Sequence, residues 1–219
     1  TGFKMADIFD EVSEDLRQDQ ILKVWKKYSK FIIGFITLII ISVLGYQGYN
    51  SWNKNQLNLK SEHFFNALEK LEDKKIKESI ALFSNNSSKD SDGYSMLSNF
   101  GLAESHFKNK DIEKMILHYQ AIYDNKNVDS YYQYLARFLS VMKDNESSYQ
   151  QLHDRLEPIL NSPNKLQILA AELEIILFIN FDMIKQAKEA LKALLSRKEI
   201  SFEQKNRLIL INKVYEANE

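Results

Sequence analysis

The sequence predicts an all-α protein in which a single N-terminal transmembrane helix is followed by a row of helical hairpins. Only six Gly and two Pro occur among the 219 residues, so tight turns and β-hairpins have few residues to form them. Residues 31–53 carry no charged side chain. The apolar residues after this stretch recur at helical spacing and repeat with a period of about 34 residues.

The transmembrane helix is predicted over residues 31–50. The nineteen residues from Phe31 to Tyr49 make a helix roughly 28 Å long, close to the ~30 Å hydrocarbon core of a bilayer. A buried core helix is the first alternative, but it usually shows polar positions on one side. A cleaved signal peptide is the second, but its apolar stretch lies nearer the N-terminus and ends at a small-residue cleavage site. The stretch therefore favours an uncleaved anchor in a lipid bilayer.

Charges before the anchor predict its orientation. Four lysines shortly precede it: Lys23, Lys26, Lys27 and Lys30. An excess of lysine marks the cytoplasmic side of a membrane helix. Residues 1–30 are therefore expected to be a cytoplasmic amphipathic and basic juxtamembrane segment, with a helix capped by Asp7. This segment either docks a partner or lies on the membrane surface. Residues 57–219 are expected outside the cytoplasm.

Small residues in the anchor predict a surface for helix packing. Gly34, Thr37, Gly45 and Gly48 lie on one side of a helix that turns about 100° per residue. In lipid, such residues let a second helix approach closely. The stripe therefore predicts a partner helix in the membrane, although glycine is also common in membrane helices that have no such partner.

Residues 57–219 are predicted to form four hairpins and a C-terminal capping helix. The hairpins are expected over Leu57–Phe83, Tyr94–Tyr123, Asp129–Leu160 and Lys165–Leu195. The last helix, Phe202–Ala217, carries a capping-box signature in Ser201 and Gln204. Aligning the hairpins brings four residues into register where small side chains let two helices approach: Ala67, Ala103, Ala136 and Ile175. A plain helical bundle is the alternative.

The chain lacks the residues that several kinds of chemistry require. The chain has no Cys, which excludes disulfides and thiolate sites. Its histidines are scattered without metal-ligand spacing, and it has no phosphate-binding loop or catalytic motif. These histidines are His63, His106, His118 and His153. A net charge of −1 gives no reason to expect nucleic acid. We therefore expect no enzyme activity, cofactor, metal or small-molecule substrate, and protein partners instead.

The run FGLAESHFKNKDIEKMILHYQAIY, from Phe100 to Tyr123, resembles a degenerate tetratricopeptide repeat. The third hairpin matches the repeat imperfectly, since Arg155 stands where the repeat usually has a small residue. The resemblance implies an α-solenoid whose first helices line a groove for polypeptides. By this resemblance the groove positions are Phe100, Glu104 and Phe107 in the second hairpin, and Gln133, Arg137 and Ser140 in the third. Core packing of the two phenylalanines is the alternative.

The whole layout resembles a family of bacterial inner-membrane tetratricopeptide-repeat proteins that are ancillary subunits of the SecYEG translocon. The most specific parts are Asp7–Tyr28 and Tyr46–Trp52. The resemblance implies a periplasmic repeat domain with a chaperone-type role, and three kinds of partner: translocon subunits, a periplasmic chaperone and exported polypeptides. Two other functions stay open, a scaffold or adaptor for envelope or cell-division assembly, and a receptor that signals through its cytoplasmic helix.

Overall fold

The computed structural model describes the backbone of residues 3–87 and 93–216, and the side chains of residue 35 and of residues 38–87 and 93–213. These residues form nine α-helices and no strand. The helices are α1 (Phe3–Glu72), α2 (Ile76–Ser84), α3 (Gly93–Lys108), α4 (Ile112–Tyr123), α5 (Ser130–Met142), α6 (Tyr149–Leu160), α7 (Gln167–Asn180), α8 (Ile184–Leu195) and α9 (Phe202–Glu216). The prediction of an all-α fold built from helical hairpins is therefore confirmed.

The first helix is longer than the sequence pattern indicates. It is continuous over 70 residues and begins at Phe3, so the prediction that Asp7 caps a helix is wrong. Residues 3–6 have ordinary helix propensity, and no Gly or Pro interrupts residues 51–72, so the backbone has no local reason to leave the helix. The chain divides into two compact units, Thr1–Asn58 and Leu59–Glu219.

No helix within the described residues is long and apolar enough to cross a membrane. Six residues of the predicted span, 31–34, 36 and 37, have side chains outside the described part of the chain. The membrane span therefore stays a prediction. The predicted orientation lysines, Lys23, Lys26, Lys27 and Lys30, and two residues of the small stripe, Gly34 and Thr37, likewise have side chains outside that part.

Three of the hairpins share one kind of turn. Each turn has three residues, and its middle residue has a left-handed backbone: Lys74 (φ 61°), Lys110 (φ 59°) and Asp182 (φ 56°). In each, the amide after this residue donates to a carbonyl five residues earlier, as Asp111 N does to His106 O at 2.9 Å. This is the Schellman arrangement that ends many helices, usually with glycine at the left-handed position.

The third hairpin turns differently. Six residues, 143–148, separate α5 from α6. The Asp144 side chain is fully buried, and its carboxylate pairs with Arg155 of α6. The same carboxylate accepts hydrogen bonds from the backbone amides of Glu146 and Ser147, at 3.0 Å each. Ser148 and Gln151 then form a capping box at the start of α6. Arg155 therefore occupies its unusual repeat position because it neutralises the carboxylate that holds this turn.

The aligned small positions lie at the centre of the packing. Ala67, Ala103 and Ala136 are completely buried, and Ile175 is 1% exposed. The first and last of them belong to different apolar clusters, and Ala103 and Ala136 share one with Met115 and Tyr119 of α4. From α2 onward, the strongest contacts of each helix are with its neighbours in sequence, as in solenoid proteins. The predicted repeat register is confirmed.

The last helix caps the row as predicted. Ser201 Oγ accepts from Gln204 N at 3.2 Å, and Gln204 Oε1 accepts from Ser201 N at 2.9 Å. Leu208 is completely buried among residues of α7 and α8. Arg207 binds the Glu172 carboxylate of α7 through both oxygens, at 2.9 and 3.1 Å. The capping box is confirmed, and the ion pair adds a second attachment of α9 to the repeats.

Candidate protein-interaction face

The three residues of α3 predicted to line a groove are half-buried. Phe100 and Phe107 pack against the cluster around Met115, and the Phe100 ring meets Tyr119 edge-on at 6.0 Å. Glu104 pairs with Lys143, whose Nζ also lies 4.8 Å from the centre of the Phe107 ring. The three residues are thus close together, but core packing and an internal ion pair already occupy much of their surface.

The three predicted residues of α5 make internal contacts. Gln133 Nε2 donates to the carbonyls of Asn125 and Val128, both at 2.9 Å, and so holds the loop before α5. Arg137 lies over the Tyr123 ring at 4.1 Å. Ser140 is completely buried and donates to Arg137 O at 2.7 Å. Including Ser140 on an exposed face was wrong, since the side of α5 that carries Ala136 is turned into the core.

The exposed side of α5 is instead an apolar stripe. It consists of Tyr131, Leu135, Phe138 and Met142, which we call the α5 stripe. Tyr131 and Met142 are 44% and 49% exposed, and Leu135 and Phe138 are half-buried against the third and fourth hairpins. The spacing of four, three and four residues places all of them on one side of the helix. The same spacing is readable in the sequence, so attention to it would have found this face.

A cleft opens beside the start of the α5 stripe. It lies between the first turn of α5 and the loop that leads into α7, and its volume is about 500 Å³. Tyr131, Tyr134, Pro163 and Lys165 form its main walls. Sequence reasoning missed this cleft because its two sides are about thirty residues apart and neither carries a recognisable motif.

Two histidines stack between α3 and α4, the buried His106 and the half-buried His118. The rings of His106 and His118 are 5.3 Å apart and inclined by 14°. His118 Nδ1 lies 3.2 Å from the Asn99 side-chain oxygen, and His106 Nδ1 lies 3.4 Å from the Asp111 carboxylate. Burial, and then the neighbouring His106, lower the pKa of His118 to about 4, so the His118 ring is neutral near pH 7. Burial also lowers the pKa of His106.

The stripe of small residues is open where the structure describes it. A Cβ atom added at Gly45 or Gly48 would meet no atom within 4 Å. Nothing in the described part of the chain therefore packs against these two glycines, and packing of a partner helix there stays a prediction.

A row of helix pairs that stack on their sequence neighbours around one repeated small position defines the class of α-helical repeat proteins. Within that class, the chain belongs to the tetratricopeptide repeat-like domain family, which matches residues 23–201. No curated protein and no solved structure matches the chain. Domains of this kind are generally non-catalytic modules that bind other proteins. The described residues also hold no cluster of His, Asp or Glu fit for a metal ion.

Proposed function

We propose that the chain is a membrane-anchored protein-interaction module, an accessory subunit of the Sec translocon with a chaperone-type role for exported proteins. In this proposal residues 31–50 anchor it in the inner membrane of a bacterium, with the N-terminus cytoplasmic and the repeats periplasmic. Its partners are translocon subunits, a periplasmic chaperone and exported polypeptides. The family match supports binding of proteins in general, and the translocon rests on the resemblance of the sequence.

One observation in particular supports the proposal that residues 31–50 are a membrane anchor. Six strongly apolar side chains are between 45% and 65% exposed in a short stretch of α1: Leu38, Ile39, Ile40, Ile41, Val43 and Leu44. At about 100° per residue they point in all directions around the helix. A soluble surface helix has one apolar side, whereas a helix that is apolar all round requires cover on every side. Lipid supplies such cover.

The α5 stripe supports a role in binding unfolded or extended chains. Its exposed members are a tyrosine and a methionine, residue types that adapt to varied apolar partners. An exposed apolar stripe on a repeat helix is a surface on which a polypeptide segment can bury apolar side chains.

Site-specific photo-crosslinking in membrane vesicles tests this function. A photoreactive residue at Ser42 probes the anchor, one at Met142 probes the α5 stripe, and one at Glu113, an exposed position on α4, serves as the matched control. We expect translocon subunits at the first position, many exported chains at the second and neither at the third. Release of the chain from membranes by alkaline carbonate would overturn the anchor. Capture of one cell-division or envelope-assembly protein at Ser42 and Met142 would overturn the translocon role in favour of an adaptor.

A further inference from the structure

The cleft beside α5 combines aromatic walls with a positive charge. Tyr131 is 44% exposed, and Tyr134 and Pro163 form apolar surface next to it. Lys165 is exposed and lies at the edge of the same cleft. None of the residues that line it is acidic. The nearest carboxylate in sequence, Asp129, accepts a hydrogen bond from Tyr131 N at 2.9 Å and caps α5.

The N-terminus of α7 strengthens the preference for a negative group. The cleft includes Asn164 and Lys165 just before α7, whose cap residue Leu166 makes no side-chain cap hydrogen bond, whereas the start of α5 already carries the capping carboxylate of Asp129. The amide dipoles of a helix give its N-terminus a partial positive charge that favours an anion. The lysine and this helix end act in the same direction, so the charge of the cleft complements a carboxylate.

The far wall of the cleft is held in place by its own hydrogen bonds. Asn164 Nδ2 donates to Ile159 O at 2.9 Å and to Ser162 O at 2.8 Å. Asn164 Oδ1 accepts from Leu166 N at 2.8 Å. The loop that carries Pro163 and Lys165 is thus organised before any partner arrives, and binding there does not require the loop to be ordered first.

We propose that this cleft binds an extended polypeptide segment in which an apolar side chain lies next to a carboxylate. The apolar side chain enters between Tyr131, Tyr134 and Pro163, and the carboxylate pairs with Lys165. This inference rests on the proposed function, because it names the kind of segment that the repeat domain selects. It adds selectivity to the α5 stripe, which by itself offers only apolar contact.

Fluorescence anisotropy with the purified full chain tests the cleft. The probe is a labelled peptide, GSDFDSG, and its neutral twin GSNFNSG differs only in lacking the carboxylates. We expect the acidic peptide to bind more tightly, and Lys165→Glu to weaken it about tenfold, a loss of about 1.4 kcal/mol. Lys205→Glu, at an exposed position on α9, makes the same charge change away from the cleft and should have little effect.

A second pair of variants tests the aromatic wall. Tyr131→Ala should weaken both peptides, whereas Tyr132→Ala, at the 40% exposed neighbour outside the cleft, should weaken neither. A basic peptide, GSKFKSG, should bind more tightly to Lys165→Glu than to the unaltered chain. This result would exclude misfolding as the reason why Lys165→Glu binds the acidic peptide more weakly.

Equal binding of the acidic and neutral peptides, or unaltered binding to Lys165→Glu, would overturn the cleft assignment. The proposed function would survive that result as long as exported chains are still captured at Met142. Absence of capture at Met142 together with absence of peptide binding would overturn both.

Discussion

Helices α3 and α5 occupy equivalent places in successive hairpins but expose different sides. Relative to the buried Ala103, the exposed side of α3 lies about 120° around the helix and carries Leu97, Glu104 and Lys108. Relative to the buried Ala136, the exposed side of α5 lies about 230° around and is the α5 stripe. Two helices with the same small residue at their centre thus present different chemistry to a partner.

The reason lies in residues 33 positions apart. Ser98, Gly101 and Ser105 of α3 are replaced in α5 by Tyr131, Tyr134 and Phe138. Small side chains let α2 lie close to α3, so that Ser79 Oγ is 3.0 Å from Ser105 Oγ. The same positions in α5 carry aromatic rings, of which Tyr131 and Tyr134 line the cleft and Phe138 packs against the cluster of the third and fourth hairpins. One substituted side of a repeat helix is thus enough to convert a packing surface into a partly exposed apolar surface, here the one proposed to bind partners.

The largest expected effect is at the turn that ends α5. Arg155→Ala leaves the fully buried Asp144 carboxylate without its cation, which should lower the free energy of unfolding by about 3 kcal/mol. Lys114→Ala removes the partly exposed pair with Asp111 in the turn after α3 and should cost less than about 1 kcal/mol. Denaturant unfolding of both variants measures the difference. Equal losses would contradict the distinction between the two turns.

The close approach of α2 and α3 predicts the next effect. A Cβ atom at Gly101 would lie 2.5 Å from the Phe83 ring. Gly101→Ala should therefore destabilise the protein by about 1–2 kcal/mol despite the better helix propensity of alanine. Gly93→Ala, where a Cβ meets nothing within 4 Å, is the matched control and should be neutral. A stabilised Gly101→Ala variant would show that Phe83 moves aside freely.

The stacked histidines between α3 and α4 predict that the stability of the protein depends on pH. The pKa of His118 in the folded chain is about 4, below its ordinary value of about 6.5. The unfolded chain therefore binds more protons between these values, and stability falls as the pH is lowered through this window. Because His118 is partly exposed, solvent screening reduces the effect, and the free energy of unfolding falls by about 1 kcal/mol from pH 7 to pH 5. Thermal melts of His118→Gln should show a smaller loss of stability between pH 7 and pH 5. An unaltered dependence of stability on pH would refute His118 as its source.

The smallest effect is expected at a turn with a left-handed residue, the kind of turn that the third hairpin does not have. Lys110 has a left-handed backbone, which strains a residue with a side chain but not glycine. Lys110→Gly should raise stability by about 0.5 kcal/mol after the larger entropy of the unfolded chain is included. Asn161→Gly, at a helix end with φ of −88°, should lower it by a similar amount. Calorimetry that shows both variants destabilised would argue against strain at Lys110.

The repeat register and the final capping box were predictable because each depends on local spacing. Small residues about 34 positions apart identify where helices meet, and Ser201 with Gln204 identifies a helix start. The exposed side of α5 was not predicted, because the register was carried over from α3 although aromatic residues had replaced the small ones. The Asp144–Arg155 pair and the cleft join residues separated in sequence. The left-handed turns carry no glycine that would mark them.

Labelling α3 and α5 separately shows most directly which of the two helices contacts a bound polypeptide. The chain contains no Cys, so Met142→Cys and Leu97→Cys each place one environment-sensitive fluorophore, on the α5 stripe or on the exposed side of α3. An unfolded exported polypeptide is then added to each labelled full chain. We predict a saturable change in emission for the fluorophore on α5 and little change for the one on α3. A change confined to α3, or an equal change at both positions, would contradict the claim that the α5 stripe is the face that binds partners.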